Sequence, residues 1–177
     1  MALELPLYLQ AGVYPARLDR FLIDEVFRKT ARVMRGLAVT QRAAGANFSV
    51  DISAGSAAIP GTSQADQGTY LVRSTALVNL AASATPAAVR TDSVVAHVKD
   101  PNAGGVAGDT WALEWVNGGT ALPTDSLVLA TIARAPGEAA ILTATITDKR
   151  PLGQLFSQVG TGPPPAKGVS GDIYVQC

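Results

Sequence analysis

The chain contains one histidine, His97, and this limits the chemistry that a single copy can perform. A zinc site usually takes several histidine or cysteine ligands, and a serine nucleophile needs a histidine base beside it. Ser56 comes nearest to a nucleophile elbow, but Ala54 and Ala58 stand where that motif requires glycine. We therefore expect no enzyme, no metal and no cofactor. His97 falls on the polar side of a predicted strand, where we expect it to be solvated or at an interface.

Carboxylates are the next candidates for chemistry, and most of them border predicted turns. An Asp at a turn usually accepts hydrogen bonds from backbone N–H groups. These residues are Asp66, Asp92, Asp100, Asp109, Asp125 and Asp148. Two alternatives stay open: an acid–base pair of a glycosidase, and a calcium site built from Asp100, Asn102 and Asp109. No spacing selects either one.

Two tryptophans in one predicted strand, Trp111 and Trp115, are candidates for a binding surface. At a strand rise of about 3.3 Å per residue they lie on one face about 13 Å apart, which suits successive sugar rings. Aromatic side chains more often pack in a β core or a subunit interface. The pattern predicts core or interface contacts, with a glycan-binding platform as the alternative.

Composition indicates a protein that associates with other copies. There are 14 basic and 14 acidic residues, and a formal net charge of +0 argues against a broad surface for nucleic acid. Apolar residues make up 47% of the 177 residues and charged residues only 16%. Such a dilute surface charge favours burial of outer surface against a partner, and we expect a homo-oligomer.

Targeting signals and covalent cross-links are not evident in the sequence. No apolar run approaches the length that spans a bilayer, so we expect no membrane insertion. No charged-then-apolar signal segment begins the chain, so we expect synthesis in the cytoplasm without export. The single cysteine, Cys177, argues against an internal disulfide framework.

One sizeable helix is predicted from Ala16 to Arg28. Its apolar residues recur at helical spacing and form one stripe. They are Leu18, Phe21, Leu22 and Val26. We expect this stripe to dock onto a sheet or a neighbouring subunit, and its four residues are candidate assembly contacts.

The chain from there to Arg150 carries short strand patterns separated by Gly, Pro, Asp and Asn turns. Gly36 interrupts the first pattern as a bulge, and residues 68–73 and 76–81 form an adjacent strand pair. Ser126–Arg134 is apolar on both faces, as expected of a central strand or one buried at a subunit contact. The sequence thus predicts a mainly β fold: an antiparallel β-sandwich or barrel-like domain with one N-terminal helix and an extended C-terminal tail.

Three segments follow from these patterns. Residues 1–30 hold an N-terminal arm and the helix, which serve in anchoring or oligomer contact. Residues 31–152 form the β-sandwich domain. Residues 153–177 are a Pro/Gly-rich extended tail that ends in a strand stub. The stub adds to another sheet or another chain, and Tyr174 within it is a further candidate assembly contact.

Seven short motifs occur in order along the chain. They are DRFLI at 19–23, GLAVTQ at 36–41, NFSVDISAG at 47–55, GTY at 68–70, RTDSVVAHVKD at 90–100, LVLA at 127–130 and ITDKR at 146–150. The series covers about four fifths of the chain, from the helix to Arg150. It resembles a β-rich module of tail fibre, baseplate and minor tail proteins of tailed bacteriophages, especially those of actinobacteria.

The resemblance implies a non-enzymatic part of the virion tail, assembled in the host cytoplasm. It implies a homotrimer at the tail tip that carries or joins receptor-binding pieces, with other tail and baseplate proteins as partners. The alternative function is binding of a host-surface glycan through the two tryptophans. The chain has no long collagen-like repeats and no large tip domain, so an adaptor between the baseplate and another fibre fits as well. The resemblance implies no catalytic residues.

Overall fold

The computed structural model describes two stretches of the chain, residues 16–101 and 110–152. Outside them lie residues 1–15, 102–109 and 153–177, together with the side chains of Arg17 and Leu18. The predicted N-terminal arm and the predicted C-terminal tail, with Tyr174 and Cys177, therefore lie outside the described residues.

The described chain is mainly β, with one helix followed by strands in three antiparallel sheets. The elements are α1 (Ala16–Phe27), β1 (Arg32–Gly36), β2 (Val39–Gln41), β3 (Ser49–Ile52), β4 (Gly55–Pro60), β5 (Thr69–Ser74), β6 (Val78–Ala81), β7 (Arg90–Lys99), β8 (Thr110–Val116), β9 (Ser126–Arg134) and β10 (Ile146–Asp148). The sheet orders are β1-β4-β5, β2-β3-β6 and β10-β9-β7-β8. The predicted fold class is confirmed, and these open antiparallel sheets are consistent with a β-sandwich.

Three stretches of chain bend so that each contributes to two sheets. The stretches are β1 with β2, β3 with β4, and β5 with β6. In one sheet β4 pairs with β1 and β5, and in the other β3 pairs with β2 and β6. The three bends therefore form one corner. Gly36 lies at this corner, so the prediction that it marks a bulge is wrong, and the shift in β1 lies between Val33 and Arg35. The predicted pairing of residues 68–73 with 76–81 is also wrong, because β5 and β6 belong to different sheets.

The corner requires glycine because two backbones meet there. Gly36 has φ 60°, and a Cβ at this position would collide with the carbonyl oxygen of Ala54. The next residue, Leu37, has φ 53° and is fully buried. Ser53 closes the bend: its Oγ accepts a hydrogen bond from Ala38 N–H, and its own N–H donates to Ala38 O, both at 3.0 Å.

Arg150 fixes the same corner from the last described segment. Its Nη1 donates to Gly36 O at 2.7 Å, and its Nε and Nη2 donate to the Asp148 carboxylate at 2.6 to 3.1 Å. These hydrogen bonds lower the pKa of Asp148 to about 2. The chain then runs beside β1, where Val33 N–H donates to Pro151 O at 3.0 Å.

The four-stranded sheet has β7 and β9 in its interior. The prediction that Ser126–Arg134 is a central strand is confirmed, because this stretch is β9. Its inward side chains join those of the other sheets in one core. The core consists of Val33, Leu37, Val50, Ile52, Ala57, Ile59, Val72, Val94, Ala96, Val98, Leu127, Leu129, Ala130, Ile132 and Ile141. Complete burial of such aliphatic side chains is worth about 1.5–3 kcal/mol each for all but the alanines, which holds the sheets together.

β5 and β8 are edge strands that face each other without backbone pairing. β8 packs against β6, and β2 packs against β10, so two of the sheets approach each other at both sides. α1 packs against β5. Clefts separate the facing edges of β5 and β8.

Substitution Gly36→Ala tests the corner. The added methyl group would collide with Ala54 O and would place a side chain at positive φ, so we expect the free energy of unfolding to fall by about 3–4 kcal/mol. Gly137→Ala is the matched control, because Gly137 has φ 72° but no atom within 4 Å of its Cβ position. It should cost only about 1–2 kcal/mol. Urea unfolding followed by tryptophan fluorescence measures both, and equal losses would contradict the role of the corner.

Candidate functional site

α1 packs on β5 through polar side chains. Arg20 Nε donates to Gln67 O at 2.6 Å, and Thr69 Oγ1 donates to the Asp24 carboxylate. Asp24 and Phe27 are buried. Residues 20, 24 and 27 are spaced one turn apart and share one side of the helix. The edge strand β5 presents polar partners, so α1 packs on it through the side that carries Arg20 and Asp24.

Two residues of the predicted apolar stripe of α1, Leu22 and Val26, lie away from the sheet. Leu22 is 42% exposed, Val26 is 57% exposed, and Phe21 is partly buried. The expectation that this stripe docks onto a sheet is wrong for Leu22 and Val26. Contact with a neighbouring subunit stays a prediction. The side chain of Leu18 and all of Tyr174 lie outside the described residues.

Trp115 belongs to a buried ionic cluster. Its Nε1 donates to Asp92 Oδ2 at 3.0 Å, and its ring centroid lies 5.4 Å from the guanidinium carbon of Arg134. Asp92 and Arg134 are buried, with Nη1 of Arg134 3.2 Å from Asp92 Oδ2. The carboxylate also accepts from Gly118 N–H at 2.7 Å and from Arg90 Nη2 at 3.2 Å. The indole of Trp115 thus contacts two buried charged groups, the carboxylate of Asp92 and the guanidinium of Arg134.

The positive charge of Arg134 is neutralised from several sides. Glu138 pairs with its Nε, Asp92 pairs with its Nη1, and its Nη2 donates to Ser83 O at 3.3 Å. The ring of Phe48 lies on the guanidinium at 5.7 Å. A buried cation persists only where its partners replace water in this way. The cluster therefore ties β7, β9 and the segment before β7 to one another.

Trp111 lies in a different environment. It borders two clefts of about 370 Å³ each, which lie between β5 and β8. Its ring packs on the edge of the core, and its indole N–H has no acceptor among the described residues. Of the two predicted platform residues, Trp111 therefore borders the clefts, whereas the N–H group of Trp115 is used by Asp92.

A chain of hydrogen bonds forms the polar wall of the first cleft. Gln67 Nε2 donates to Asp125 Oδ2 at 2.6 Å and to Tyr70 OH at 3.0 Å, and Tyr70 OH donates to Asp100 Oδ2 at 2.6 Å. The guanidinium of Arg20 lies 4.9 Å from the Tyr70 ring centroid. Burial and the hydrogen bond to Asp100 raise the pKa of Tyr70 to about 12. Tyr70 therefore stays a hydrogen-bond donor at neutral pH.

Sequence reasoning did not find Arg20, Gln67 and Tyr70 as members of this network. Gln67 and Asp125 are 58 positions apart, and Tyr70 and Asp100 are 30 apart, so no local spacing connects them. The one available signal was the position of the two aspartates at turns. Asp125 does accept backbone hydrogen bonds, as predicted for a turn residue.

The sequence predicts that His97 is solvated or at an interface; it is buried within the fold, so the solvated alternative is wrong. Its Nδ1 lies 2.9 Å from Glu114 Oε2 on the neighbouring strand, and Lys99 Nζ lies 2.5 Å from Glu114 Oε1. Burial alone would raise the pKa of Glu114, but the hydrogen bonds from Lys99 and His97 outweigh it and the pKa is lowered. The period-two pattern placed His97 on the face opposite Ala96, and that face is also covered.

Within residues 16–101 and 110–152, no group of three or more His, Cys, Asp or Glu side chains could hold a metal ion. Asn102 and Asp109, two members of the calcium alternative, lie outside this part of the chain. No helix of the described part is long and apolar enough to cross a membrane.

Asp125 gives the clearest pH dependence. It is buried with φ 53°, and it accepts hydrogen bonds from the N–H and hydroxyl groups of Thr62 and Ser63 and from Gln67. Burial alone would raise its pKa, but these hydrogen bonds lower the pKa below its ordinary value of 3.8. The carboxylate therefore stabilises the fold above about pH 4, and this contribution is lost as the pH falls through 3.8 and towards the lowered pKa.

Asp125→Asn should reduce the free energy of unfolding at pH 7 by about 1–3 kcal/mol, because the carboxylate hydrogen bonds are weakened. The difference from the wild type should shrink as the pH falls from 5 to 3. Urea midpoints at several pH values measure this. Asp66→Asn, at an exposed turn residue, is the control and should follow the wild type. A difference for Asp125→Asn that stays constant with pH would contradict the assignment.

In three comparisons with known proteins, no protein-family model, no curated protein and no solved structure matches this chain. Its function must therefore be inferred from its own residues. Among the described residues, the exposed side of α1 and the clefts between β5 and β8 are surfaces suited to this purpose.

Proposed function

We propose that the chain is a structural, non-enzymatic component of a bacteriophage tail tip, baseplate or tail fibre, which assembles with copies of itself and attaches or carries receptor-binding parts. The orientation of α1 supports the assembly with further copies, and the resemblance of the seven motifs supports the setting in the virion. The helix places Arg20 and Asp24 against β5 and leaves Leu22 and Val26 in solvent. An amphipathic helix in a monomer normally has the opposite orientation.

The exposed side of α1 is suited to a subunit contact. Complete burial of a Leu or Val side chain is worth about 1.5–3 kcal/mol, so burying the exposed half of Leu22 and of Val26 contributes about 1.5–3 kcal/mol per copy. Glu25 is the acidic residue between them and is exposed. In any homo-oligomer built on this contact, the contribution is repeated for each copy.

The buried titratable groups also support a structural role. Asp92, Arg134 and Asp125 are each held by several fixed protein partners. Such satisfied networks define which strands are neighbours. These three buried charged residues thus serve the fold.

Substitutions Leu22→Asp and Val26→Asp test the self-association. We expect the wild type to elute as an oligomer, with a trimer favoured, and the double variant to shift towards the monomer because charge enters the contact. Size-exclusion chromatography with light scattering gives the masses. Glu25→Gln is the control and should leave the wild-type mass. A monomeric wild type, or an unchanged mass in the double variant, would count against the α1 contact.

Location in the virion has its own test. Mass spectrometry of purified phage particles should detect the chain in a fixed ratio to the other tail proteins. Its presence only in the infected-cell lysate, with none in the particles, would overturn the proposed setting.

Trp111 favours a second candidate function, binding of a host-surface glycan. Its ring borders the two clefts, and the polar wall of Tyr70, Asp100 and Arg20 lies beside it. Sugars are held by an aromatic face combined with hydrogen-bonding groups, and Trp111 supplies the first beside a wall that supplies the second. The contacts of Trp115 restrict this candidate to Trp111.

Trp111→Leu tests the glycan candidate, because it keeps apolar contact with the core and removes the aromatic face. We expect retention on a glycan array to fall about tenfold or more, equivalent to about 1.4 kcal/mol. Trp115→Phe is the matched control: it should keep sugar retention while losing stability, since Asp92 loses one donor. Absence of retention by the wild type, or equal retention by Trp111→Leu, would eliminate the candidate.

A further inference from the structure

The facing edges of β5 and β8 form the sides of an elongated slot, here named the β5–β8 slot. Two clefts of about 370 Å³ make up its length. The first cleft lies between residues 70–72 and residues 110–111. The second lies between residues 73–76 and residues 111–113. The slot is therefore bounded on both sides by backbone that no strand of the described chain pairs with.

The order of residues along the slot gives the direction of its sides. Moving from the first cleft to the second, the residue numbers increase on β5 and on β8 alike. The two edge strands thus run in the same direction. One extended segment lying between them in the opposite direction would be antiparallel to both and would form hydrogen bonds with both edges. It would join the sheet β1-β4-β5 to the sheet β10-β9-β7-β8.

The β8 edge lacks the features that normally protect an edge strand. Its sequence from Thr110 to Val116 contains no proline and no lysine. Its one charged residue, Glu114, is held by Lys99 and His97 on β7, away from the free edge. The seven residues of β8 include three large apolar side chains, and the free backbone edge of this strand is a template for pairing with another strand.

We propose that residues 171–176 of a second copy of the chain enter the β5–β8 slot as an added strand, antiparallel to both edges. The proposal rests on the self-association proposed above. Residues Ile173 and Val175 alternate with polar neighbours, which gives one apolar face for the core side of the slot. This one short segment would form hydrogen-bonded ladders with both free edges, β5 and β8.

Charge also matches the segment to the slot. Two of the basic residues that line the slot already have acidic partners: Lys99 Nζ lies 2.5 Å from Glu114 Oε1, and Arg20 Nη1 lies 3.9 Å from Asp100 Oδ2. The segment contributes one charge, from Asp172. Among the described residues Arg73 has no ionic partner and it is exposed. The carboxylate of Asp172 can therefore pair with the guanidinium of Arg73.

The length of the connecting chain permits exchange between copies. The described chain ends beside β1, where Leu152 bridges to Val33. Residues 153–170 lie between that point and the segment, and 18 residues reach up to about 60 Å when extended. That length exceeds the width of a neighbouring subunit of this size. Each copy can donate its segment and accept another.

The experiment uses the full chain and a labelled peptide of residues 169–177 with Cys177→Ser. The full-length donor variant Ile173→Asp, Val175→Asp leaves the slot of every copy available. We expect it to lose mass by light scattering and to bind the peptide by fluorescence anisotropy. A peptide carrying Ile173→Asp should not bind. Within the donor variant, Arg73→Glu should weaken peptide binding about three- to tenfold.

Arg35→Glu is the matched control for Arg73→Glu. Both arginines are exposed and lie on either side of Ser56 in the same sheet, Arg35 on β1 and Arg73 on β5. Peptide binding should therefore survive Arg35→Glu. Equal weakening by the two substitutions would indicate attraction by general charge and would overturn the placement in the slot.

The remaining outcomes also decide the proposal. If the donor variant binds no peptide, the slot does not accept the segment and the proposal fails. If the donor variant binds peptide while the wild type is a monomer that does not, the segment fills the slot of its own chain and exchange between copies is refuted. If the donor variant keeps the wild-type mass and binds no peptide, while Leu22→Asp with Val26→Asp abolishes the oligomer, the proposed function stands without this strand.

Discussion

The close contact of Gly36 with the backbone at Ala54 is the constraint on which the rest of the structure depends. It lets three neighbouring strands bend at one line, so that one meander supplies both β1-β4-β5 and β2-β3-β6. A slip of one residue would turn every side chain of the meander to the opposite face. The corner also places β5 and β6 in different sheets, and the clefts lie between β5 and the edge of β8. The bend therefore determines which strand edge borders the candidate site.

The second organising feature is the use of scarce charged residues inside the protein. Asp92 and Arg134 are buried together, Asp125 is buried beside the turn at Thr62 and Ser63, and Asp24 of α1 is buried against Thr69 of β5. Buried ion pairs add little net stability compared with apolar contacts, but removing one partner is costly. They therefore fix which segments are neighbours. Because these charges are inside, apolar side chains such as Leu71 and Val89 make up more of the exterior than the composition alone suggests.

The sequence allowed the fold class and the central position of β9 to be predicted, because period-two patterns and two-sided apolar strands report burial directly. It did not allow the docking side of α1 to be predicted. The stripe rule assumes that a helix meets an apolar surface, whereas the edge of β5 presents Thr69 and the carbonyl of Gln67. Burial of His97 was missed for a related reason: its partner Glu114 lies on another strand.

The candidate site was predictable only in part. Trp111 and Trp115 were correctly placed on one strand, but strand geometry says nothing about which indole N–H finds a buried acceptor. Asp92 decides that, and it lies 23 positions from Trp115. The corner could not be predicted either, since Gly36 at a bulge and Gly36 at a bend give the same sequence pattern. The difference lies in the approach of Ala54, a long-range contact.

The two proposed contact surfaces are physically linked through α1. Ala16 and Arg20 line the first cleft, while Leu22 and Val26 lie on the exposed side of the same helix. Arg20 is anchored by Gln67 and by the ring of Tyr70, whose hydroxyl group ends at Asp100 in the slot. Leu22 and Val26 lie on the opposite side of the helix from Arg20, so a strand in the slot would contact this wall without covering the exposed side of α1. One copy could therefore use both surfaces at the same time.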